Sequence, residues 1–219
     1  MTTPDGPDDF VMEFRGVQHR EQTDGTIRIL METSRGDIQG ILNPTKTPSK
    51  KCVLFGHFTG PAEGVYETLS PELNEQGIAA LRIKFRNREL GEAVGDTLAG
   101  LSFLKAIGVE ETALVGASFG GAVAIRAGTI SPSVRGVATL ASQTFGAQDV
   151  GELAPKHLLI LHGLADQVLG PHNARNIYDW ANEPKEIVLY PESDHNLAYC
   201  KDEVHDKLLE WLTNLLNGS

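Results

Sequence analysis

Cysteine is scarce in this chain: two, Cys52 and Cys200, among 219 residues. That excludes a disulfide framework. The lack of any CxxC or Cys/His cluster gives no reason to expect a metal. A reduced compartment fits best, so a cytoplasmic location is expected. Long apolar runs are also missing, and none approaches the roughly 20 residues a membrane helix needs. The opening Met-Thr-Thr-Pro-Asp-Gly-Pro-Asp-Asp has neither the basic start nor the apolar stretch of a signal peptide. Residues 1–9 are expected to be a disordered, solvated tail. Positive charge is the minority sign, with 19 Lys and Arg against 29 Asp and Glu, for a net charge of -10. Such a chain repels phosphate backbones and anionic lipid, so neither nucleic acid nor membrane is an expected partner.

What remains is ordinary globular composition, 41% hydrophobic and 22% charged. No repeat, low-complexity block or Pro/Ser-rich linker divides the chain. Residues 10–219 are therefore expected to form one domain. Thr26–Glu32 alternates apolar and polar residues, and Asp37–Leu42 follows after an Arg-Gly turn. Both fit half-buried antiparallel strands at a sheet edge.

Beyond Lys50 the pattern changes to short apolar runs separated by helical segments. The runs are Cys52–Phe55, Ala79–Ile83, Ala113–Val115, Gly136–Leu140, Leu158–Leu161 and Glu186–Tyr190. Runs of this length fit strands buried on both faces of a parallel sheet. Between them, Val94, Leu98, Leu101, Leu104 and Ile107 share one helical face, as do Val204, Leu208, Trp211, Leu212 and Leu215. The alternation predicts an α/β, doubly wound and mostly parallel sheet of about eight strands, with helices on both faces.

The chemistry concentrates in Gly116-Ala117-Ser118-Phe119-Gly120, a GxSxG. With 23 glycines in the chain, the pattern alone is weak. Its context is specific: a short apolar strand ends at Gly116, and a helix over residues 119–130 begins just after the serine. A strand, a sharp turn and a helix make a nucleophile elbow. The glycines remove side chains where strand and helix nearly touch. The hydroxyl then stands at a helix N-terminus, where free N–H groups favour negative charge.

A serine hydroxyl needs a general base, and the base needs an orienting carboxylate. Leu158–Leu161 is followed by His162-Gly163-Leu164-Ala165-Asp166. Glu186–Tyr190 is followed by Pro191-Glu192-Ser193-Asp194-His195. Asp166 and His195 thus sit just past the carboxyl ends of strands, where doubly wound sheets place their sites. His162 is expected to be structural, at the sheet edge, and Asp194 to mark a turn. For the oxyanion hole, the expected donors are the amide of Phe119 and the amide of Phe58, in the loop after the first central strand.

These pieces resemble the α/β-hydrolase superfamily: Val-Gly-Ala-Ser-Phe-Gly-Gly at 115–121, Leu-His-Gly-Leu-Ala-Asp at 161–166 and Ser-Asp-His at 193–195. The resemblance runs from about Thr26 to the end. It is strongest to compact members such as dienelactone-hydrolase-like proteins, small esterases and acyl-peptidase-like hydrolases. It implies hydrolysis of an ester, thioester or amide through an acyl-enzyme, without a cofactor. Two departures stand out. Relatives often carry His-Gly after the first central strand, whereas here the order is Gly56-His57. Dienelactone hydrolases proper use a cysteine nucleophile, whereas here the position is Ser118.

Relatives with a cap insert helices before the strand that starts near Leu158. Here the gap, 141–157, is too short for a helical lid domain, so an open site without a cap is expected. The expected activity is carboxylesterase-like, on a small-molecule acyl substrate. The alternatives are a catalytically silent binding protein of the same fold, or an acyltransferase or perhydrolase using the same three residues. Candidate pocket residues are His57, Thr59 and Arg86. The run Arg82–Arg88 has two readings: it draws a carboxylate-bearing substrate, or it is a solvated loop that packs its stems. The sequence carries no indication of oligomeric state.

Overall fold

The structure is a computed structural model that describes residues 12–58 and 65–218. The expected tail, 1–9, and Thr59 lie outside the described residues. Three strands come first: β1 (Phe14–Glu21), β2 (Ile27–Thr33) and β3 (Ile38–Asn43). Six more follow: β4 (Lys51–His57), β5 (Ala79–Lys84), β6 (Glu111–Ala117), β7 (Val134–Leu140), β8 (His157–Gly163) and β9 (Lys185–Tyr190). Helix α1 (Val65–Glu75) precedes β5, α2 (Leu90–Ala106) precedes β6 and α3 (Phe119–Ile130) precedes β7. Helix α4 (His172–Trp180) precedes β9, and α5 (Lys201–Asn217) follows it.

Among the described residues the strands form one nine-stranded sheet, ordered β1-β2-β3-β5-β4-β6-β7-β8-β9. The first three are antiparallel to their neighbours, and β3 pairs antiparallel with β5. From β5 through β9 every pairing is parallel. The count exceeds the expected eight by β1. Seven of its eight residues are exposed, so neither face carries an apolar period to announce it.

The parallel strands are buried on both faces, as their unbroken apolar runs require. Leu54, Leu81, Leu114 and Ile160 point into the layer formed by α2, α3 and α4. Val53, Phe55, Val115 and Leu159 point toward α1 and α5. Val204, Leu208 and Leu212 lie on the buried stripe of α5, at the expected period. Helix α2 is less one-sided. Asp96, Thr97 and Gly100 are buried beside Val94 and Leu101, because α2 packs against both the sheet and its neighbour α3. Between β7 and β8 the chain forms only a 3-10 turn over Gln148–Leu153, so there is no cap.

Candidate functional site

Ser118 follows β6 directly and precedes the first residue of α3. Its backbone sits at φ 52° and ψ -120°, a region L-residues avoid at a cost of about 1–3 kcal/mol. Two backbone hydrogen bonds hold it there, and the Ser142 hydroxyl adds a third contact, donating to the Ser118 carbonyl at 3.2 Å. The Ser118 N–H donates to the Leu140 carbonyl at 2.8 Å, and the Gly121 N–H donates to the Ser118 carbonyl at 3.1 Å. The glycines are sterically required. A Cβ on Gly116 would stand 2.0 Å from the Gly120 carbonyl oxygen, and one on Gly120 2.9 Å from that of Gly56.

Asp166 and His195 arrive from the turns after β8 and β9, and those turns are stitched together. The Leu164 N–H donates to the Tyr190 carbonyl at 2.8 Å, and the Ala165 N–H to the Ser193 carbonyl at 3.0 Å. Cys200, buried with a free thiol, donates to Ser193 Oγ at 3.0 Å and fastens the His195 turn to the start of α5. The three side chains meet in a line. His195 Nε2 lies 3.2 Å from Ser118 Oγ, and His195 Nδ1 lies 2.8 Å from Asp166 Oδ2.

The Asp166 side chain is fully buried, while that of His195 is 20% exposed. Asp166 Oδ1 accepts the amides of Val168 and Leu169, each at 2.8 Å. Burial alone would push this carboxyl up. The hydrogen bonds from His195 and from those two amides outweigh it and hold the group below its ordinary value. Asp166 is therefore an acceptor only, so Nδ1 of His195 carries a proton, and the tautomer this selects offers the Nε2 lone pair to Ser118.

One neighbour has more to do than its sequence context indicated. His162, expected to be structural, is fully buried, and its Nε2 lies 3.2 Å from Asp166 Oδ2 and 2.7 Å from the Leu169 carbonyl. Two acceptors face that nitrogen, so it carries the proton. Burial pulls the imidazole below the ordinary histidine range, against the opposing pull of Leu169 and Asp166, so the ring is neutral. The signal was the i, i+4 spacing to Asp166, which on a strand and turn does not reveal a contact. Asp194 marks the turn, as expected: its Oδ1 accepts the Asn196 N–H at 3.1 Å.

A cleft of about 730 Å³ opens above Ser118 and His195. His57, Phe58, Phe119, Phe145 and Val168 are among its lining residues, with Phe145 and Val168 68% and 70% exposed at the rim. Phe119 is the first residue of α3, where an N–H has no partner within the helix. Phe58 follows β4 at the edge of the described residues. Its ring lies under the Arg88 guanidinium, with Cζ 4.6 Å from the ring centroid.

Arg86, a candidate pocket residue, does not line this cleft. It turns into the α2 layer instead. Its N–H and Nε donate to Asp96 Oδ2 and Oδ1 at 2.9 and 2.6 Å, and Nη2 donates to Glu92 Oε2 at 2.7 Å. Asp96 is fully buried, and with Glu92 it divides the guanidinium donors between two carboxylates, which hold the side chain more firmly than an open cleft could. Arg88 takes the place on the cleft wall. Among the described residues no group of three or more His, Cys, Asp or Glu could hold a metal ion, and no helix is long and apolar enough to cross a membrane.

No family model matches the chain. The uncharacterized protein YfhR of Escherichia coli O157:H7 is 25% identical over 138 residues, which are 56% of this chain and 45% of that protein. The chain spans less than half the length of the curated relatives it matches. Among solved structures, an esterase domain from a Rhodothermus marinus protein superposes with a TM-score of 0.69 at 22% identity, covering 93% of this chain and 99% of that one. Dienelactone hydrolase from Anabaena variabilis superposes with a TM-score of 0.73 at 16% identity, covering 91% and 99%. At these identities the likeness is one of fold.

Proposed function

The chain has the α/β-hydrolase fold in a compact form without a cap, and on that frame we propose that it is a serine hydrolase acting on an accessible carboxylic ester. One observation carries the reading. Ser118, in a strained elbow conformation, faces the lone pair of an imidazole whose other nitrogen is held by a buried carboxylate. A structural serine needs no such backbone, and a merely packed histidine needs no buried anion behind it. The esterases among the structural neighbours support the same reading.

The mechanism follows from the proton inventory. His195 Nε2 takes the Ser118 proton as Oγ attacks the acyl carbon, and Asp166 stabilises the resulting imidazolium. The Phe119 amide holds the developing oxyanion, with the Phe58 amide as the second donor. The bond to the leaving alcohol breaks as His195 hands it the proton. A water then attacks the acyl-Ser118 carbon, giving its proton to His195, and the acid departs as Ser118 recovers its hydrogen. His162 positions Asp166 and does not touch the substrate.

A fluorophosphonate probe tests the reading. Wild type is expected to be labelled on Ser118 and to turn over a short aryl ester. Ser118→Ala is expected to do neither. Equal labelling of the two proteins, or no labelling of wild type, would refute it.

A further inference from the structure

A second cavity, of about 590 Å³, adjoins the Ser118 cleft, and His57 lines both. Its floor is the outer part of the sheet, and strand register decides which residues face it. One row across the strands runs His57, Lys84, Gln39, Leu30, Gln18. The next row, two residues along each strand, runs Phe55, Arg82, Ile41, Arg28, Arg20. Cross-strand partners share a face, as do residues two apart. Phe55 belongs to the core on the α1 and α5 side, so both rows face that side.

Lys84, Arg82, Arg28 and Arg20 therefore gather on one surface, in a chain whose net charge is -10. None of the described residues lining this groove is Asp or Glu. The core on this side takes no residue from β1, β2 or β3, so the rows are not packed into it. Arg20, Arg28 and Lys84 are exposed.

Arg82 differs from them. It is 6% exposed, and its Nε and Nη1 have no hydrogen-bond partner. Nη2 reaches Asn43 Oδ1 at 3.5 Å, and Glu67 Oε1, on a largely exposed side chain, forms an ion pair with Nη1 at 3.4 Å that makes no hydrogen bond. A buried guanidinium with unspent donors is costly unless something satisfies them, and an anion in the groove would.

We propose that this groove binds the anionic end of the substrate: an ester whose acyl or alcohol arm ends in a carboxylate or phosphate and reaches outward past His57 over the antiparallel strands. The proposal rests on the hydrolase reading above. Strands are about 4.8 Å apart, so Lys84 and Arg82 lie one strand step beyond β4, and Arg28 lies three steps out, roughly 14 Å. A terminal anion therefore needs an arm of intermediate length, and a short acyl group cannot reach.

The test compares 4-nitrophenyl esters of ω-carboxyalkanoic acids of increasing length with the matching uncharged alkanoates, and runs a phosphate-ended series in parallel. The readout is the charged-to-neutral ratio of kcat/KM, in which damage to the common chemistry cancels. The ratio is expected to exceed one at intermediate length. It is expected to fall about tenfold in the Arg20→Gln, Arg28→Gln, Lys84→Gln triple variant, and to fall in wild type as salt rises. The series with the larger ratio identifies carboxylate or phosphate as the terminal group. A ratio at or below one at every length, or one the triple variant leaves unchanged, overturns the proposal.

Failure of the hydrolase reading gives a different pattern, with no turnover of either series. Calorimetric titration of Ser118→Ala protein then decides the groove by itself, using a medium-chain dicarboxylate and an alkyl phosphate of equal length. Binding that the triple variant loses upholds the groove. No binding overturns it, as does tighter binding of a single-stranded oligonucleotide, which would make it a polyanion site.

Discussion

Asp166→Asn tests the direction of one proton. The carboxylate of Asp166 accepts three hydrogen bonds and has a fourth N–H beside it. Oδ1 takes the Val168 and Leu169 amides, Oδ2 takes His195 Nδ1 at 2.8 Å, and His162 Nε2 stands 3.2 Å from Oδ2. Asparagine has a single acceptor oxygen. Two rigid backbone amides claim it at the Oδ1 position, since an NH₂ there would leave both unpaired in a buried site. The NH₂ then faces His195. The ring must present its Nδ1 lone pair to that NH₂ and move its own proton to Nε2, toward Ser118. The base is gone while the geometry survives.

A wrong-tautomer substitution of this kind costs about 10⁴ in kcat, or about 5.5 kcal/mol at 1.36 kcal/mol per tenfold. The NH₂ also confronts the Nε2–H of His162, and that buried mismatch costs about 1–3 kcal/mol of stability. At about 2–4 °C per kcal/mol for a domain of this size, Tm is expected to fall by about 2–12 °C. The assay is kcat on a neutral aryl ester, with thermal melting of the same preparation. A variant that keeps kcat within about tenfold of wild type would refute the reasoning, because Asp166 would then not set the tautomer of His195.

Acid stability is expected to fall in two limbs. His162 is held below its ordinary 6.5 by burial, so its neutral form stabilises the fold fully above that value. This stabilisation is lost as the pH falls from 6.5 toward the folded value, because the unfolded chain binds the proton first. Asp166 is held below 3.8, so its contribution is full above 3.8 and is lost lower down, as the pH falls through its own folded value. Urea melts at a series of pH values check this, and a His162→Gln variant that retained the upper limb would contradict the assignment. Arg86→Ala strands the buried Asp96 carboxylate, whose pKa burial already raises. Removing one partner of such a pair costs about 3–5 kcal/mol, so Tm is expected to fall by about 6–20 °C while KM for carboxylate-bearing esters is unchanged. A rise in that KM without a loss of Tm would return Arg86 to the pocket.

The parts legible in the sequence share a local cause. The parallel strands showed as continuous apolar runs because each is buried on both faces. Helix α3 was expected over 119–130 and occupies Phe119–Ile130, because the small residues that open it are those the elbow requires. The order Ser118, Asp166, His195 was legible because each residue follows its own strand closely. Strand β1 was not, because a strand exposed on both faces has no period.

Ser118 was thus determined by the sequence as the residue to examine, since steric need around Gly116 and Gly120 is written within five consecutive positions. What the tertiary structure decided is whatever depends on which distant residues come together. It sent Arg86 inward, because its partners Asp96 and Glu92 lie on the buried side of α2, which spacing along the chain does not reveal. It set His162 behind Asp166. And it placed Arg20, Arg28, Arg82 and Lys84 on one face beside the Ser118 cleft, since the register of β1, β2, β3 and β5 exists only once the sheet has formed.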